Sequence, residues 1–250
     1  QTTLPSDLSG VVAVAAGQYH TLALRSDGTV TAWGNGASGA TLPPTALTTA
    51  VAVAAGNQFN LALRADGTVV AWGNNSSGQT SVPSGLSGVV AIATGSTHSL
   101  ALKSDGTVVA WGSNGSGQTT VTNALSGVVA IAAGANLTGA LKSDGTVVAW
   151  GSNSSGATTI PAGLNLVRAV SAGESFNLVV RESAGDNAPV ITTPPASQAT
   201  FAGQNVTLNV AVNAGTGYAT TYQWRKAGNP ITGATTATFG LSLISAADAG

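Results

Sequence analysis

The sequence contains no cysteine, which excludes disulfides, thiolate nucleophiles and cysteine-ligated metals. Charge is almost as scarce. Only 7% of residues are charged and the net charge is −1, so no basic field is available to neutralise phosphates or to recruit anionic lipid, and nucleic acid is not an expected partner. Histidine occurs twice, at His20 and His98, too sparsely for a histidine metal site. Apolar runs such as Val11–Ala16 fall far short of the ~20 residues that cross a bilayer, so no membrane insertion is expected in this segment. Nor does the N-terminus show a charged-then-apolar signal pattern, and any targeting signal is expected outside these residues. The 250 residues suffice for one large all-β domain and part of a second.

What the sequence has in abundance is an internal period. Trp33, Trp72, Trp111 and Trp150, each followed by glycine, stand 39 residues apart. Gly17, Gly56, Gly95, Gly134 and Gly173 keep the same spacing, as do the Asp-Gly pairs beginning at Asp27, Asp66, Asp105 and Asp144. Within one period, residues 89–93, 99–103 and 107–111 are short, β-branched or alternating, and bounded by Gly, Ser and Asn, which predicts three strands and leaves no room for a helix. A two-residue Asp-Gly loop of type I′ is expected between the second and third, placing Leu100 opposite Trp111. The first strand is nearly all Ala, Val and Gly, which suits a place where sheets converge, and is predicted innermost. Pro44, Pro83 and Pro161 recur in register, with Thr122 in the fourth place, and suit an outer edge that needs no ladder donor. Short strands repeated at about 40 residues predict an all-β fold, a partial β-propeller.

The run Val-Ala-x-Gly-x-x-His-x-Leu-Ala-Leu-x-x-Asp-Gly-x-Val-x-x-Trp-Gly around His20 and His98 resembles the regulator of chromosome condensation repeat family over residues 1–182. In style it is most similar to the secreted bacterial inhibitors of β-lactamase built from that repeat, which share the Val-Val-Ala-Trp-Gly and Gly-Gln-Thr-Thr-Val-Pro runs. The resemblance implies a ring of typically seven blades. Residues 1–5 repeat at 40–44, and residues 167–181 supply two strands without an Asp-Gly-Trp half. Four full repeats and one half are therefore expected here, with further repeats and a closing strand upstream.

Composition changes after Glu182: residues 183–188 read as a linker, and Pro189, Pro194 and Pro195 open a new unit. Residues 206–212, 222–226 and 238–244 are predicted strands, with a turn at Gly228-Asn229. Residues 189–250 resemble a bacterial immunoglobulin-like β-sandwich, incomplete at its C-terminus. The resemblance implies that Trp224 is the core tryptophan, that Val210 replaces the first cysteine, and that residues 248–250 precede the tyrosine corner.

Comparison between repeats separates chemistry from packing. His20 and His98 share a slot with Phe59, Leu137 and Phe176, which predicts a semi-buried packing position. Arg25, Arg64, Lys103, Lys142 and the four repeat aspartates are turn residues; Asp7, Glu174, Glu182, Asp186 and Asp248 form no pair suited to acid–base work. One carboxylate per turn is too few for calcium. Catalytic residues, cofactors and metals are accordingly none, and the tryptophans read as core.

Binding on such a scaffold belongs to positions that vary while the scaffold repeats. The two residues after each repeat glycine do so: Gln18 and Tyr19, Asn57 and Gln58, Ser96 and Thr97, Ala135 and Asn136, Glu174 and Ser175. Only Tyr19 is aromatic, whereas comparable loops of the inhibitor relatives carry aromatic contacts. The polar loops after each tryptophan read as spacers. The leading expectation is a non-catalytic, extracellular or cell-surface bacterial module that binds a protein or cell-surface ligand; a ligand-free stalk is its structural counterpart. The alternatives are a secreted inhibitor of a β-lactamase-like serine enzyme, a nucleotide-exchange factor for a small GTPase, and accessory domains of an enzyme whose catalytic part lies elsewhere.

Overall fold

The computed structural model describes residues 3–122, 125–181, 190–193, 205–213, 221–226 and 229–242. The chain divides into two compact units, Gln1–Arg181 and Glu182–Gly250. The predicted linker and Pro189, Pro194 and Pro195 lie outside the described residues, as do Gly228 of the predicted turn, Asp248 and the expected approach to a tyrosine corner.

In the first unit each period folds into an antiparallel three-stranded sheet. These are β1 (Val11–Ala16), β2 (His20–Arg25) and β3 (Val30–Gly34); β4 (Ala50–Ala55), β5 (Phe59–Arg64) and β6 (Val69–Gly73); β7 (Val89–Thr94), β8 (His98–Lys103) and β9 (Val108–Gly112); and β10 (Val128–Ala133), β11 (Leu137–Lys142) and β12 (Val147–Gly151). A fifth, two-stranded sheet joins β13 (Val167–Ala172) to β14 (Asn177–Arg181). First strands of successive blades approach one another, so the Ala/Val-rich strand is innermost, as its small side chains predict. Each carries a β-bulge near its start, between Val11 and Ala13 and at the equivalent places, which adds twist where the blades converge.

The Asp-Gly hairpin differs from the predicted one by a residue. Lys103 N–H bonds Thr107 O at 2.8 Å and Gly106 N–H bonds Lys103 O at 3.0 Å, so the loop holds Ser104, Asp105 and Gly106, with Gly106 at φ +81°. This is a type I turn closed by a left-handed glycine, not type I′. The physical reason lies in the residue after the glycine: the Asp105 carboxylate accepts the Thr107 N–H at 2.9 Å, which favours the three-residue loop. The register shifts accordingly. Leu100 faces Ala110, and Trp111 faces Ser99.

Blades interlock at both ends. The carbonyls of Gly28, Gly67 and Gly145, at the tips of these turns, accept the N–H of Ala50, Val89 and Val167 at the start of the next blade, at 3.0–3.1 Å. Between the blades, Leu22 and Leu24 pack with Ala50, Ala62 and Trp72; Leu61 and Leu63 pack with Val89, Ala101 and Trp111. Each such leucine, fully buried, contributes roughly 1.5–3 kcal/mol. The corresponding side chains at the fifth blade, Phe176 just before β14 and Leu178 and Val180 within it, are 58–60% exposed.

The segments bearing Pro44, Pro83 and Pro161 are not edge strands. They run as irregular chain whose proline carbonyl closes a turn with the N–H of Leu47, Leu86 or Leu164, at 2.9–3.2 Å, and Thr122 does the same for Leu125. The turn serves to drop a leucine into the inter-blade core, where Leu47 is buried.

In the second unit, β15 (Val190–Thr193) pairs with β17 (Ala211–Asn213), β16 (Val206–Asn209) with β20 (Thr238–Leu241), and β18 (Arg225–Lys226) with β19 (Asn229–Pro230). The predicted strand 206–212 thus breaks at Val210 and serves two sheets; the predicted strand 222–226 shortens to Arg225–Lys226. Trp224 donates its indole N–H to Thr236 O at 2.8 Å and stacks on Phe239 with ring centroids 5.7 Å apart.

Candidate functional site

The repeat glycines form the end of the propeller at which the first strands finish. A Cβ on Gly56 would lie 2.6 Å from Gly95 O and against the Phe59 ring; a Cβ on Gly17 would lie 2.6 Å from Gly56 O and against the His20 ring. Gly95 meets Gly134 O and the His98 ring in the same way, and Gly134 meets Gly173 O and Leu137. Each glycine is thus held between the side chain three residues on and the backbone of the next blade, and no larger residue fits.

The N–H groups just after these glycines continue the ring. Gln18 N–H bonds Gly56 O at 3.3 Å, Asn57 N–H bonds Ser96 O at 3.2 Å, Ser96 N–H bonds Ala135 O at 3.2 Å, and Ala135 N–H bonds Glu174 O at 3.1 Å. With the backbone committed inward, the side chains are left for solvent. The ten candidate positions therefore separate into two groups. Gln18, Asn57, Ser96, Ala135 and Glu174 come together around one open cavity of about 300 Å³. Tyr19, Gln58, Thr97 and Asn136 stand outside it, their carbonyls accepting the N–H of Asn35, Asn74, Ser113 and Ser152 at 2.8–2.9 Å, which ties each post-tryptophan loop to this end of its blade. Ser175 joins Ala135, Asn136 and Glu174 around a second cavity of about 130 Å³, together with Ser152, Ser154, Ser155 and Ala157. These loop serines, which the sequence reads as spacers, line that cavity.

The histidines lie beneath this surface. Both are fully buried, more deeply than the semi-buried slot predicted, and both bridge blades. His20 Nε2 lies 2.6 Å from Asn60 Oδ1, and Asn60 Nδ2 donates to Ala40 O at 2.8 Å. His98 Nε2 lies 3.2 Å from Thr138 Oγ1; since that hydroxyl gives its proton to Gln118 O at 2.8 Å, it accepts from His98 Nε2–H. Nε2 is thus the donor of each inter-blade bond, and Nδ1 of each ring has no hydrogen-bond partner among the described residues. Burial pushes the His98 pKa down to about 4, so the ring is neutral at ordinary pH. The tryptophans share the same acceptors. Trp72, Trp111 and Trp150 donate their indole N–H to Ala40 O, Gln79 O and Gln118 O at 2.9–3.2 Å, and Trp72 and Trp111 are buried. They are staples of the core.

The aspartates work at the opposite end. Those at Asp105 and Asp144 are held down to about 2: at Asp105 first by the Thr107 N–H, at Asp144 first by the Thr146 hydroxyl, with Lys103 and Lys142 adding to the effect. Asp27 and Asp66 are lowered by the hydroxyls of Thr29 and Thr68. Among the described residues no three His, Asp or Glu side chains converge.

Interlocked blades, a glycine ring and a tryptophan staple recur at residues 11–40, 50–79, 89–118 and 128–157, which match the regulator of chromosome condensation (RCC1) repeat. The chain carries four RCC1 repeats. The fold is that of a β-propeller. The chain is similar to the ectodomain of the Arabidopsis thaliana receptor kinase ACR4 (23% identity, TM-score 0.56, over 73% of this chain and 66% of that one). It is also similar to the ectodomain of the Physcomitrella patens receptor kinase CR4 (24%, 0.53, over 66% and 45%) and to human WBSCR16 (19%, 0.54, over 91% and 68%). It spans less than half the length of the Physcomitrella ectodomain. A comparison with curated proteins finds no match. Among these RCC1 repeats the scaffold positions repeat and the post-glycine positions vary.

Proposed function

We propose that this chain is a non-catalytic protein-interaction module of an extracellular or cell-surface bacterial protein, binding its partner with the glycine-ring end of the propeller. One observation carries the reading: five chemically different side chains, Gln18, Asn57, Ser96, Ala135 and Glu174, are delivered by an invariant backbone to one open cavity. A partially exposed aromatic anchor, Tyr19, stands beside the ring. The commitment of both histidines to blade packing, and of the aspartates to turns, supports a role without catalysis. The low charge and Ser/Thr/Asn/Gly-rich surface, and the presence of similar propellers in receptor-kinase ectodomains, support an extracellular setting. The second unit, read as an immunoglobulin-like sandwich around Trp224, fits a tandem display arrangement.

The test is affinity capture from bacterial surface proteins on the immobilised chain, beside a Gln18→Ala/Asn57→Ala/Glu174→Ala variant of unchanged circular dichroism. A discrete protein retained by the first and reduced at least about tenfold on the second is the expected result. Equal retention on both, or none on either, would overturn it.

A further inference from the structure

The smaller cavity, of about 130 Å³, sits between the fourth and fifth blades where the repeat has changed one residue. In the second and third blades the corresponding space is filled from within. Gln79 and Gln118 are fully buried there. Gln79 Oε1 accepts the Ser77 N–H at 2.8 Å, and Gln118 Oε1 accepts the Ser116 N–H at 2.9 Å. The Gln118 amide nitrogen faces Ser113 Oγ at 3.4 Å and Asn136 Oδ1 at 3.3 Å.

One period further on, the residue in the glutamine position is Ala157. The positions that hold the carboxamide in the third blade all persist as its lining: Ser155 for Ser116, Ser152 for Ser113, and Ser175 for Asn136. Among the described residues the Ser155 N–H has no protein acceptor in place of the lost Oε1. Ser152 Oγ lies 3.3 Å from Ser154 Oγ, and a hydroxyl has two lone pairs, so Ser152 and Ser175 remain able to accept from an amide nitrogen. Ser154, Ser155, Glu174 and Ser175 are exposed, so the space opens to solvent. Its volume would hold about four waters, enough for the side chain that alanine lacks. In the first blade, where Ala40 also replaces glutamine, the loop winds instead into a 3-10 turn over Ala37–Gly39.

We propose that this cavity is a recognition pocket for a primary carboxamide, supplied by a glutamine side chain of the bound protein. The repeat itself provides the template: the partner's carbonyl takes the Ser155 N–H and its NH₂ faces Ser152 and Ser175, as Gln118 does one blade earlier. A carboxylate in place of the amide is disfavoured by Glu174 on the rim. This deepens the protein-binding reading and rests on it for the identity of the ligand's carrier.

The test is a ¹H–¹⁵N titration of the full chain with N-acetyl-glutamine methylamide, with N-acetyl-norleucine methylamide and N-acetylglutamate as controls. Saturable shifts at Ser152, Ser155 and Ser175 are expected for the amide, with the two controls about tenfold weaker. Ala157→Gln, which restores the residue of the neighbouring blades, is expected to abolish those shifts and to raise Tm. No saturable shift in the native chain, or equal response to norleucine, would overturn the pocket. So would undiminished amide binding by a folded Ala157→Gln protein. If the amide binds but surface capture fails, only the wider protein-binding reading falls; if capture succeeds undiminished with Ala157→Gln, only the carboxamide pocket does.

Discussion

His98 shows how one buried ring can set a pH dependence. Its folded pKa of about 4 lies below the ordinary 6.5, so the unfolded chain takes up a proton that the folded one refuses. The stability this neutral ring protects is present above pH 6.5 and is lost as pH falls toward 4, by about 3 kcal/mol in all. Urea unfolding followed between those limits should show the loss, and His98→Leu, the residue the fourth blade carries at Leu137, should flatten it. The ring glycines act by steric necessity instead. Gly56→Ala drives a methyl into Gly95 O and the Phe59 ring, both fixed by neighbouring backbone, so a cost of about 3 kcal/mol or more is expected in thermal or urea unfolding. The glycine period was legible in the sequence. That His20 and His98 donate across blades was not, because their acceptors, Asn60 and Thr138, lie 40 residues away and differ chemically.

At the scale of the element, the shared acceptor is the device that joins one blade to the next. Ser99 and Trp111 both donate to Gln79 O, at 2.7 and 2.9 Å, and Gln79 belongs to the connection leaving the previous blade. Trp111→Phe keeps most of the buried ring and removes one donor, so a loss of roughly 1–2 kcal/mol is expected, more than additive with Ser99→Ala because the carbonyl keeps one partner until both are gone. A double-mutant cycle in urea measures this. The hairpin illustrates how a correct motif can yield the wrong register. Asp-Gly signals a turn, but Thr107 after it supplies the N–H that the Asp105 carboxylate takes, and the loop gains a residue. That single step moves Trp111 from Leu100 to Ser99. The proline segments misled for a related reason: missing a donor suits a turn as well as an edge, and the Pro83 carbonyl is what the chain uses. Carboxyl titration by NMR should find Asp105 and Asp144 near 2, with their turn-stabilising bonds present above the ordinary value of 3.8 and lost as pH falls through 2.

In the molecule as a whole, one repeated backbone carries different side chains to a common end. The period, the innermost strand and the variable post-glycine positions were all legible, since each depends on residues at fixed spacing. Which of those positions line a cavity was not, because the second cavity depends on the loop after Trp150, whose Ser/Gly/Asn composition reads as spacer. A clue lay at residue 157, where alanine interrupts the glutamine of residues 79 and 118. The most direct measurement is amide hydrogen exchange on the chain alone and bound to the protein it captures. Slowed exchange confined to the glycine-ring end, at Tyr19, Thr97, Asn136, Ser155 and Ser175, is expected. Slowing confined to the Asp-Gly turns, at Gly28, Gly67, Gly106 and Gly145, would place the partner on the opposite end and contradict the assignment of the binding face.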